Sequence, residues 1–231
     1  MLDSSVVFES PILGVLDNDT NPPVSIEEAV GTIPLNLRAE LRLARQFVES
    51  RRYVEELAST LKTDHAAALW LFTCESPIYR RLNQLLRAGN RQELMAGYFP
   101  YLRLLLEAFA GLARPLRRTV YRGVKADLVG SEPQLYVAGN RLTWWGFSST
   151  TKDIAVLRSP MFLGSAGVGT MFEITTRHGI DITPFSAVRA EAEARTCTHS
   201  HPCRRSAGGG RGRGAIAAGG PAEDHGRAAE G

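Results

Sequence analysis

The sequence predicts an α+β fold, and two observations support this prediction. Apolar residues recur at spacings of three and four over residues 35–116, which is the pattern of amphipathic helices. After Leu116 the pattern shortens to alternation, and β-favouring segments are separated by Gly, Pro and polar residues. Runs of helices followed by runs of strands favour an α+β arrangement over a parallel sheet wound by alternating helices.

Length and composition indicate one folded domain of ordinary size. The chain has 231 residues, of which 44% are apolar. No apolar run approaches the roughly 20 residues of a membrane span, and residues 1–8 lack a basic segment followed by an apolar one. Three cysteines at irregular distances suggest no disulfide framework. We therefore expect a cytoplasmic protein that has no membrane partner.

The net charge of +3 comes entirely from the end of the chain. Six arginines and three acidic residues follow Ala194, so residues 1–194 carry no net charge. A basic face that could bind nucleic acid is therefore not predicted.

The N-terminal half is predicted to be helical after a short lead-in. Residues 1–34 contain four prolines and an Asn-Asp-Thr-Asn run, which predicts an irregular segment packed loosely on the domain. Residues 35–116 then form the helical part of the domain. Four helices are predicted there: one after Asn36, one capped by Asp64, one starting at Ser76 and Pro77, and one from Tyr98 to Leu112.

The β part of the domain is predicted over residues 117–194, and a tail follows it. Residues 195–231 are dominated by Gly, Ala, Arg and Pro, which cannot bury enough apolar surface to offset ordering entropy, so this tail is predicted to be disordered. Four segments before it favour strands: Arg118 to Val124, Leu142 to Ser148, Gly169 to Thr175, and Ile180 to Ser186.

A hydroxyl cluster follows the second of these segments directly. Thr143 to Phe147 is bulky and β-favouring, and it continues into Ser148-Ser149-Thr150-Thr151. Such a change indicates a strand end that faces something polar. The alternative is a turn whose hydroxyl groups bond their own backbone.

A pair of glutamates, Glu191 and Glu193, lies further along the chain. On a strand, residues two apart project from the same face, where two carboxylates repel each other. Such pairs can stabilise a sugar-derived cation or activate a hydroxyl group. The alternative is two ordinary glutamates on a solvated loop.

Arg122 stands between Tyr121 and Gly123 in the first predicted strand. A guanidinium can hold a phosphate through two hydrogen bonds, and a neighbouring glycine lets backbone approach a ligand. The alternative is a structural arginine that pairs with a carboxylate of the core.

In this order, the three elements resemble the signature of the arginine-specific mono-ADP-ribosyltransferases. That signature is an Arg, a Ser-Thr-Ser element and a Glu-x-Glu pair. Two helical segments, Thr73 to Arg80 and Tyr98 to Leu102, are also similar to that family. The signature falls here on Arg122, on Ser149, Thr150 and Thr151, and on Glu191 with Glu193.

The resemblance implies NAD as the co-substrate. It implies that Arg122 grips the phosphate or ribose, that the Gly123 backbone meets the nicotinamide amide, and that Ser149, followed by Thr150 and Thr151, orders the nicotinamide ribose. Glu193 would bond the ribose 2′-hydroxyl and stabilise the cation left when nicotinamide departs.

The implied reaction is transfer of ADP-ribose to an accessible arginine of a protein substrate, with Glu191 orienting and activating the acceptor guanidinium. Ser149, Glu191 and Glu193 are thus the predicted catalytic residues. Two alternatives stay open: NAD glycohydrolysis, and an impaired relative that only binds a nucleotide or a partner.

The sequence departs from the family at two places. Val188 stands where the family usually has an aromatic residue that contacts the protein acceptor. Residues 194–197, Ala-Arg-Thr-Cys, replace an apolar strand, so a β core without its last strands is predicted.

A metal site is not predicted. Cys197, His199, His201 and Cys203 alternate along the chain, whereas zinc ligands usually come in pairs separated by two to four residues.

Overall fold

A computed structural model gives the architecture of the chain. Side chains are described for residues 12–50, 52–74, 76–88, 90–112, 118–159, 163–164, 167–177 and 179–187, and only the backbone for 193–196, 201–205 and 215–218. Helices come first and strands follow, so the predicted α+β class is confirmed.

The four predicted helices are present. They are the second, third, fourth and sixth α-helices of the described chain, and the third of them to be predicted begins at Pro77 as expected. The prediction that Asp64 caps its helix is wrong, because that helix begins at Thr63 with Lys62 at the N-cap position, and Asp64 lies in its first turn. Two π-helical turns, Tyr53–Leu57 and Leu94–Tyr98, lie among these helices, and two 3-10 turns, Ile154–Arg158 and Thr183–Phe185, lie among the strands. The α-helices are α1 Ile26–Gly31, α2 Arg38–Glu49, α3 Thr63–Thr73, α4 Pro77–Ala88, α5 Arg91–Glu93, α6 Phe99–Leu112 and α7 Leu128–Ser131.

Helix α1 corrects the prediction of an irregular lead-in over residues 1–34. The Ser25 hydroxyl accepts a bond from the Glu28 N–H, and the Glu28 carboxylate accepts one from the Ser25 N–H. This reciprocal capping box starts the helix despite the prolines around it. Ile26 and Ala29 are fully buried, so the segment belongs to the core. Residues 1–11 lie outside the described ones.

The loop before α1 is also bound tightly to the helical layer. Nδ2 of the buried Asn21 donates to the Val15 carbonyl (2.6 Å) and to the Phe99 carbonyl (3.1 Å). Arg103 on α6 donates to the Asn21 carbonyl (2.6 Å) and to Oδ1 of Asn18 (2.7 Å). Buried polar groups are thus satisfied across the junction, which is the condition for such a loop to be stable.

The described strands form one mixed sheet. They are β1 Arg118–Val124, β2 Arg141–Leu142, β3 Ser148–Thr151, β4 Thr170–Thr176, β5 Ile180–Asp181, β6 Glu193–Thr196, β7 His201–Arg205 and β8 Ala215–Ala218. In space the strands follow the order β2-β7-β8-β4-β1-β3-β6-β5, so β1 lies between β4 and β3, and it is antiparallel to both.

The predicted strand from Leu142 to Ser148 is wrong over residues 143–147. Phe147 packs against Phe72 with ring centroids 5.1 Å apart, in the core of the helical layer. Trp144 packs against Phe172, 5.0 Å away, in a second cluster on the sheet. Side-chain packing in two separate clusters, rather than a strand ladder, therefore fixes this bulky segment.

The fourth predicted strand is shorter than expected. Only Ile180–Asp181 is a strand, and a 3-10 turn containing Pro184 follows it. Proline has no N–H to donate to a ladder, so a strand through this position is unfavourable.

The last three strands correct two predictions for the end of the chain, namely disorder after residue 194 and a sheet without its last strands. Strand β6 reaches Thr196, and β7 and β8 lie within residues 195–231, for which disorder is predicted. Strand β8 pairs in parallel with β4, so the sheet continues past the point where the sequence predicts missing strands. The prediction of disorder was based on composition, which reflects how much apolar surface the side chains can bury. Strand pairing uses backbone hydrogen bonds instead, and an open sheet edge can pair with any segment that adopts an extended backbone. The rest of the predicted tail lies outside the described residues.

Two apolar clusters hold the layers together. The larger one joins α1, α3, α4 and α6 to Phe147 and Phe185, and the smaller one is centred on Val120, Phe172 and Ile174. In the described parts of the chain, no helix has the length and apolar character needed to cross a membrane.

Candidate active site

Arg122 links the two strands at the centre of the sheet. Its Nη1 donates to the Ser149 carbonyl at 3.1 Å, from β1 to β3. Its guanidinium carbon lies 5.9 Å from the ring centroid of Trp144, within range of a cation–π interaction. The side chain is half-buried. The guanidinium is therefore held at the strand that carries the hydroxyl cluster.

The hydroxyl cluster is itself a strand, β3. Ser148, Thr150 and Thr151 are buried, whereas Ser149 is half-buried. Oγ1 of Thr151 accepts a bond from the Asp153 N–H (3.1 Å) and donates to its carbonyl (3.2 Å), which is the local turn considered as the alternative reading. Ser149 differs, because its Oγ lies 3.4 Å from the hydroxyl of Tyr79 on α4.

One face of α4 borders this segment. Tyr79, Asn83 and Arg87 are four residues apart and therefore lie on one side of the helix. A Cβ at Gly146 would lie 2.8 Å from Oδ1 of Asn83 and 3.3 Å from Nη1 of Arg87. Gly146 thus lets the chain that leads into β3 approach α4 closely.

In the described part of the chain, the side-chain amide of Asn83 is buried without a hydrogen bond to compensate for the loss of water. Only 1% of its surface is exposed, and within the described chain neither Nδ2 nor Oδ1 has a hydrogen-bond partner. An unpaired buried polar group costs about 1–3 kcal/mol, so it calls for an explanation. A ligand group that bonds to the amide beside Gly146 would provide one.

Tyr79 and Asn83 were not singled out as site residues from the sequence. The available signal was a polar side chain recurring every fourth residue next to the buried face of an amphipathic helix. That signal alone does not distinguish a site from a solvated helix face.

Gly123 is a packing position in this structure. A Cβ there would lie 2.6 Å from Cγ of Leu163, and a Cβ at Gly169 would lie 2.6 Å from Cδ2 of the same leucine. Leu163 therefore fills the space that the two missing side chains leave. Any larger residue at position 123 would displace it.

Of the two glutamates, Glu193 is the first residue of β6. Glu193 pairs with Thr151 on β3, and Thr151 pairs with Tyr121 on β1. These three backbone positions form one row across adjacent strands, and Arg122 follows the row on β1. Glu191 lies outside the described residues. The strand order therefore brings the three sequence elements to neighbouring strands.

An ion pair closes the edge of the sheet beside this row. Lys152, which follows Thr151, pairs with Asp181 on β5. Burial would raise the pKa of Asp181, but bonds from the Lys152 ammonium and from the Thr183 N–H hold this pKa below its usual value. The carboxylate of Asp181 is thus ionised at neutral pH.

Within the described residues, no group of three or more His, Cys, Asp or Glu side chains could hold a metal ion. Cys197 and His199 of the alternating Cys/His motif lie outside those residues.

A family model decides the identity of the domain. The model for NAD:arginine ADP-ribosyltransferases matches residues 24–199. The chain belongs to this family. The match begins inside the segment predicted as a lead-in, in agreement with the burial of α1. No curated protein matches the chain.

Solved structures with the ADP-ribosyltransferase fold are similar to this chain. The eucaryotic mono-ADP-ribosyltransferase ART2.2 aligns with a TM-score of 0.64 and 17% identity, over 87% of this chain and 84% of that one. HopU1 from Pseudomonas syringae gives 0.58 and 20%, over 76% and 86%. Exoenzyme S from Pseudomonas aeruginosa, solved with human 14-3-3 protein beta and carba-NAD, gives 0.55 and 22%, over 82% and 94%. Variants of ART2.2 have been solved with NADH and with NAD.

Proposed function

We propose that this chain transfers ADP-ribose from NAD to an arginine of a protein and releases nicotinamide. The observation that carries the proposal is the placement of Arg122, Ser149 and Glu193 on the adjacent strands β1, β3 and β6 of a chain that belongs to this family. Three residues so far apart in the sequence need not lie on adjacent strands. Their adjacency therefore supports a common site.

The described residues fit a dinucleotide. The guanidinium of Arg122 offers charge and a planar set of donors that suits a phosphate. The unpaired amide of Asn83 offers a donor and an acceptor, and the paired hydroxyls of Tyr79 and Ser149 suit a ribose. The Trp144 ring, whose centroid lies 5.9 Å from the guanidinium carbon of Arg122, adds an aromatic face beside these polar groups.

NAD supplies the bond that breaks, between C1′ of the ribose and the nicotinamide nitrogen. In the proposed reaction the electron pair of that bond leaves with nicotinamide, and a guanidinium nitrogen of the acceptor forms the new bond to C1′. The carboxylate of Glu193 offsets the positive charge that develops on the ribose. The carboxylate of Glu191 accepts the proton that the acceptor guanidinium loses.

A second candidate is NAD glycohydrolysis, in which water takes the place of the arginine. Val188 favours it, because an aliphatic side chain stands where the family usually has an aromatic that contacts the acceptor. Both reactions share nicotinamide release and differ only in the nucleophile.

The test measures nicotinamide release from NAD with and without agmatine as the acceptor. Transfer predicts ADP-ribosyl-agmatine and faster release when agmatine is present. Hydrolysis predicts free ADP-ribose at a rate that agmatine does not change. Absence of nicotinamide release in both conditions would contradict both enzymatic functions and leave a binding protein.

A further inference from the structure

Arg122 stands in an otherwise apolar row on β1. Alternate residues of a strand project from the same face, so Val120, Arg122 and Val124 share one face of the sheet. Val120 is fully buried, and Val124 packs against the same small apolar cluster. On β4 the residue opposite Arg122 is Phe172, which also belongs to this cluster. The charged side chain therefore starts from an apolar face, where neighbouring groups must replace the water that it loses.

A carbonyl group and an aromatic ring stabilise the guanidinium there. The Ser149 carbonyl accepts a bond from Nη1 at 3.1 Å, and the guanidinium carbon lies over the Trp144 ring, 5.9 Å from its centroid. The face of an indole ring carries negative potential and attracts a cation, and a guanidinium stacks on it readily because it is planar and weakly hydrated. The bond fixes one edge of the guanidinium, whereas the ring limits the orientation of its plane.

The Trp144 ring is itself held by the sheet. It makes a T-shaped contact with Phe172, with ring centroids 5.0 Å apart and an interplanar angle of 81°. Tyr136 packs against the same phenylalanine, with centroids 5.9 Å apart. Trp144 lies outside the described strands, so this packing sets where the indole stands. Phe172, the residue opposite Arg122, therefore holds the ring over which Arg122 lies.

We propose that Trp144 is a positioning residue for Arg122, and that its ring keeps the guanidinium in the plane in which its other donors can bind a ligand phosphate. The proposal rests on the proposed function for the identity of that ligand, NAD. Without the ring, the guanidinium loses this constraint and samples more orientations. The phosphate contact is made before and during the reaction alike, so its loss should weaken NAD binding and leave the chemical step unchanged.

The test compares two substitutions at Trp144. Trp144→Leu removes the aromatic face and keeps an apolar side chain against Phe172, whereas Trp144→Phe keeps an aromatic ring. Trp145→Leu is the matched control, because Trp145 is also half-buried but packs against the larger apolar cluster. It measures the general effect of losing a tryptophan from this segment.

We expect Trp144→Leu to raise KM for NAD by about fivefold or more, since a cation–π contact corresponds to roughly a two- to thirtyfold change in an equilibrium constant. The kcat for nicotinamide release should stay within about twofold of the unsubstituted value. Trp144→Phe and Trp145→Leu should both keep KM within about twofold.

An unchanged KM in Trp144→Leu would overturn the proposal. An equal rise in Trp144→Phe would overturn it as well, because the aromatic face would then be irrelevant. So would an equal rise in Trp145→Leu, since that result would indicate general destabilisation of the segment.

A spectroscopic measurement on the full chain does not depend on activity. The Nε–H signal of Arg122 in the nuclear magnetic resonance spectrum is identified by its absence in Arg122→Lys. The ring current of Trp144 should shift this signal away from those of exposed arginines, and the shift should disappear in Trp144→Leu and persist in Trp145→Leu. If the unsubstituted protein neither binds NAD nor releases nicotinamide, the proposed function fails, and this signal alone decides whether Trp144 positions Arg122. The same signal position in the unsubstituted protein and in Trp144→Leu would overturn the inference.

Discussion

Arg122 donates from Nη1 to the carbonyl of Ser149 at 3.1 Å, so the charged group of β1 is fixed to the backbone of β3. This bond uses one of the five N–H donors of the guanidinium and orients the plane of the remaining ones. The contact with the Trp144 ring adds a second constraint on that plane. An arginine held in this way is suited to a phosphate in a defined position.

Arg122→Lys should weaken NAD binding by more than about tenfold, because an ammonium group cannot reproduce a planar two-point contact. Calorimetric titration with NAD measures the effect. Arg118→Lys, at the start of the same strand, serves as the control and should leave the affinity unchanged. An unchanged affinity in Arg122→Lys would indicate that Arg122 has a structural role only.

Asn83→Leu should separate ligand binding from stability. The substitution removes a buried amide that has no partner in the described residues, so the free energy of unfolding should stay unchanged or rise by about 1 kcal/mol. The affinity for NAD should fall several-fold, as one good hydrogen bond is worth about 0.5–1.5 kcal/mol. Urea unfolding and calorimetric titration measure the two effects.

Asn21→Leu is the matched comparison for Asn83→Leu. Asn21 is also buried, but its amide donates to two carbonyl groups. Loss of those bonds should lower the free energy of unfolding by about 1–3 kcal/mol. If both variants lose stability equally, the Asn83 amide must be bonded within the folded protein, and its assignment to the nucleotide would be wrong.

Glu193→Gln and Glu191→Gln should have different effects. Glu193→Gln should lower both transfer and hydrolysis by about a hundredfold or more, because a neutral amide cannot offset the charge that develops on the ribose. Glu191→Gln should lose transfer to arginine and retain NAD hydrolysis. Separate assays of ADP-ribosyl-agmatine and of free ADP-ribose distinguish the two.

The control for the glutamate variants is Glu173→Gln, at an exposed position of β4 in the same sheet. It should leave both activities within about twofold of the unsubstituted protein. An equal loss of both activities in the two glutamate variants would contradict the proposed division of labour.

The sequence predicted the helices well because their burial follows a local period. In α2 and α4 the buried residues recur at spacings of three and four, and Pro77 marks the start of α4. Strand β1 was also predicted with its correct ends, because Val120 and its neighbours combine β-favouring side chains with a glycine near the end of the strand.

The segment 143–147 was misread because propensity is local and packing is not. Its aromatic residues favour strands, but Phe147 packs on Phe72 and Trp144 on Phe172, partners that no local pattern reveals. The same limit applies to the site. The contact of Tyr79 with Ser149 joins residues 70 apart, so it follows from how α4 packs on the sheet and not from any spacing along the chain.

Arg103→Met should destabilise the fold by about 3 kcal/mol. Arg103 is 7% exposed and donates to Glu107 on its own helix as well as to Asn18 and Asn21. Methionine fills the volume but removes all three bonds, and it leaves the carbonyl of the buried Asn21 without this donor. Urea unfolding measures the change, and Arg42→Met, at an exposed position of α2, should alter stability by no more than about 0.5 kcal/mol. Similar values for the two variants would show that Arg103 does not hold the loop before α1.

Asp181→Asn should remove a pH-dependent contribution to stability. Because the pKa of Asp181 is lower in the folded protein than in the unfolded chain, its carboxylate stabilises the fold above the unfolded pKa, about 3.9, and this contribution is lost as pH falls through the folded pKa. Lys152 and Asp181 are 37% and 39% exposed, so solvent screening limits the effect to less than about 1 kcal/mol.

The asparagine of Asp181→Asn keeps an acceptor for the Thr183 N–H. We therefore expect the unfolding free energies of Asp181→Asn and the unsubstituted protein to differ at pH 6 and to draw closer as the pH falls from 6 to 3. Lys152→Met should reproduce the loss at pH 6, and the double variant should lose no more than either single one. A difference that persists unchanged at pH 3 would show that the carboxylate charge is not its cause.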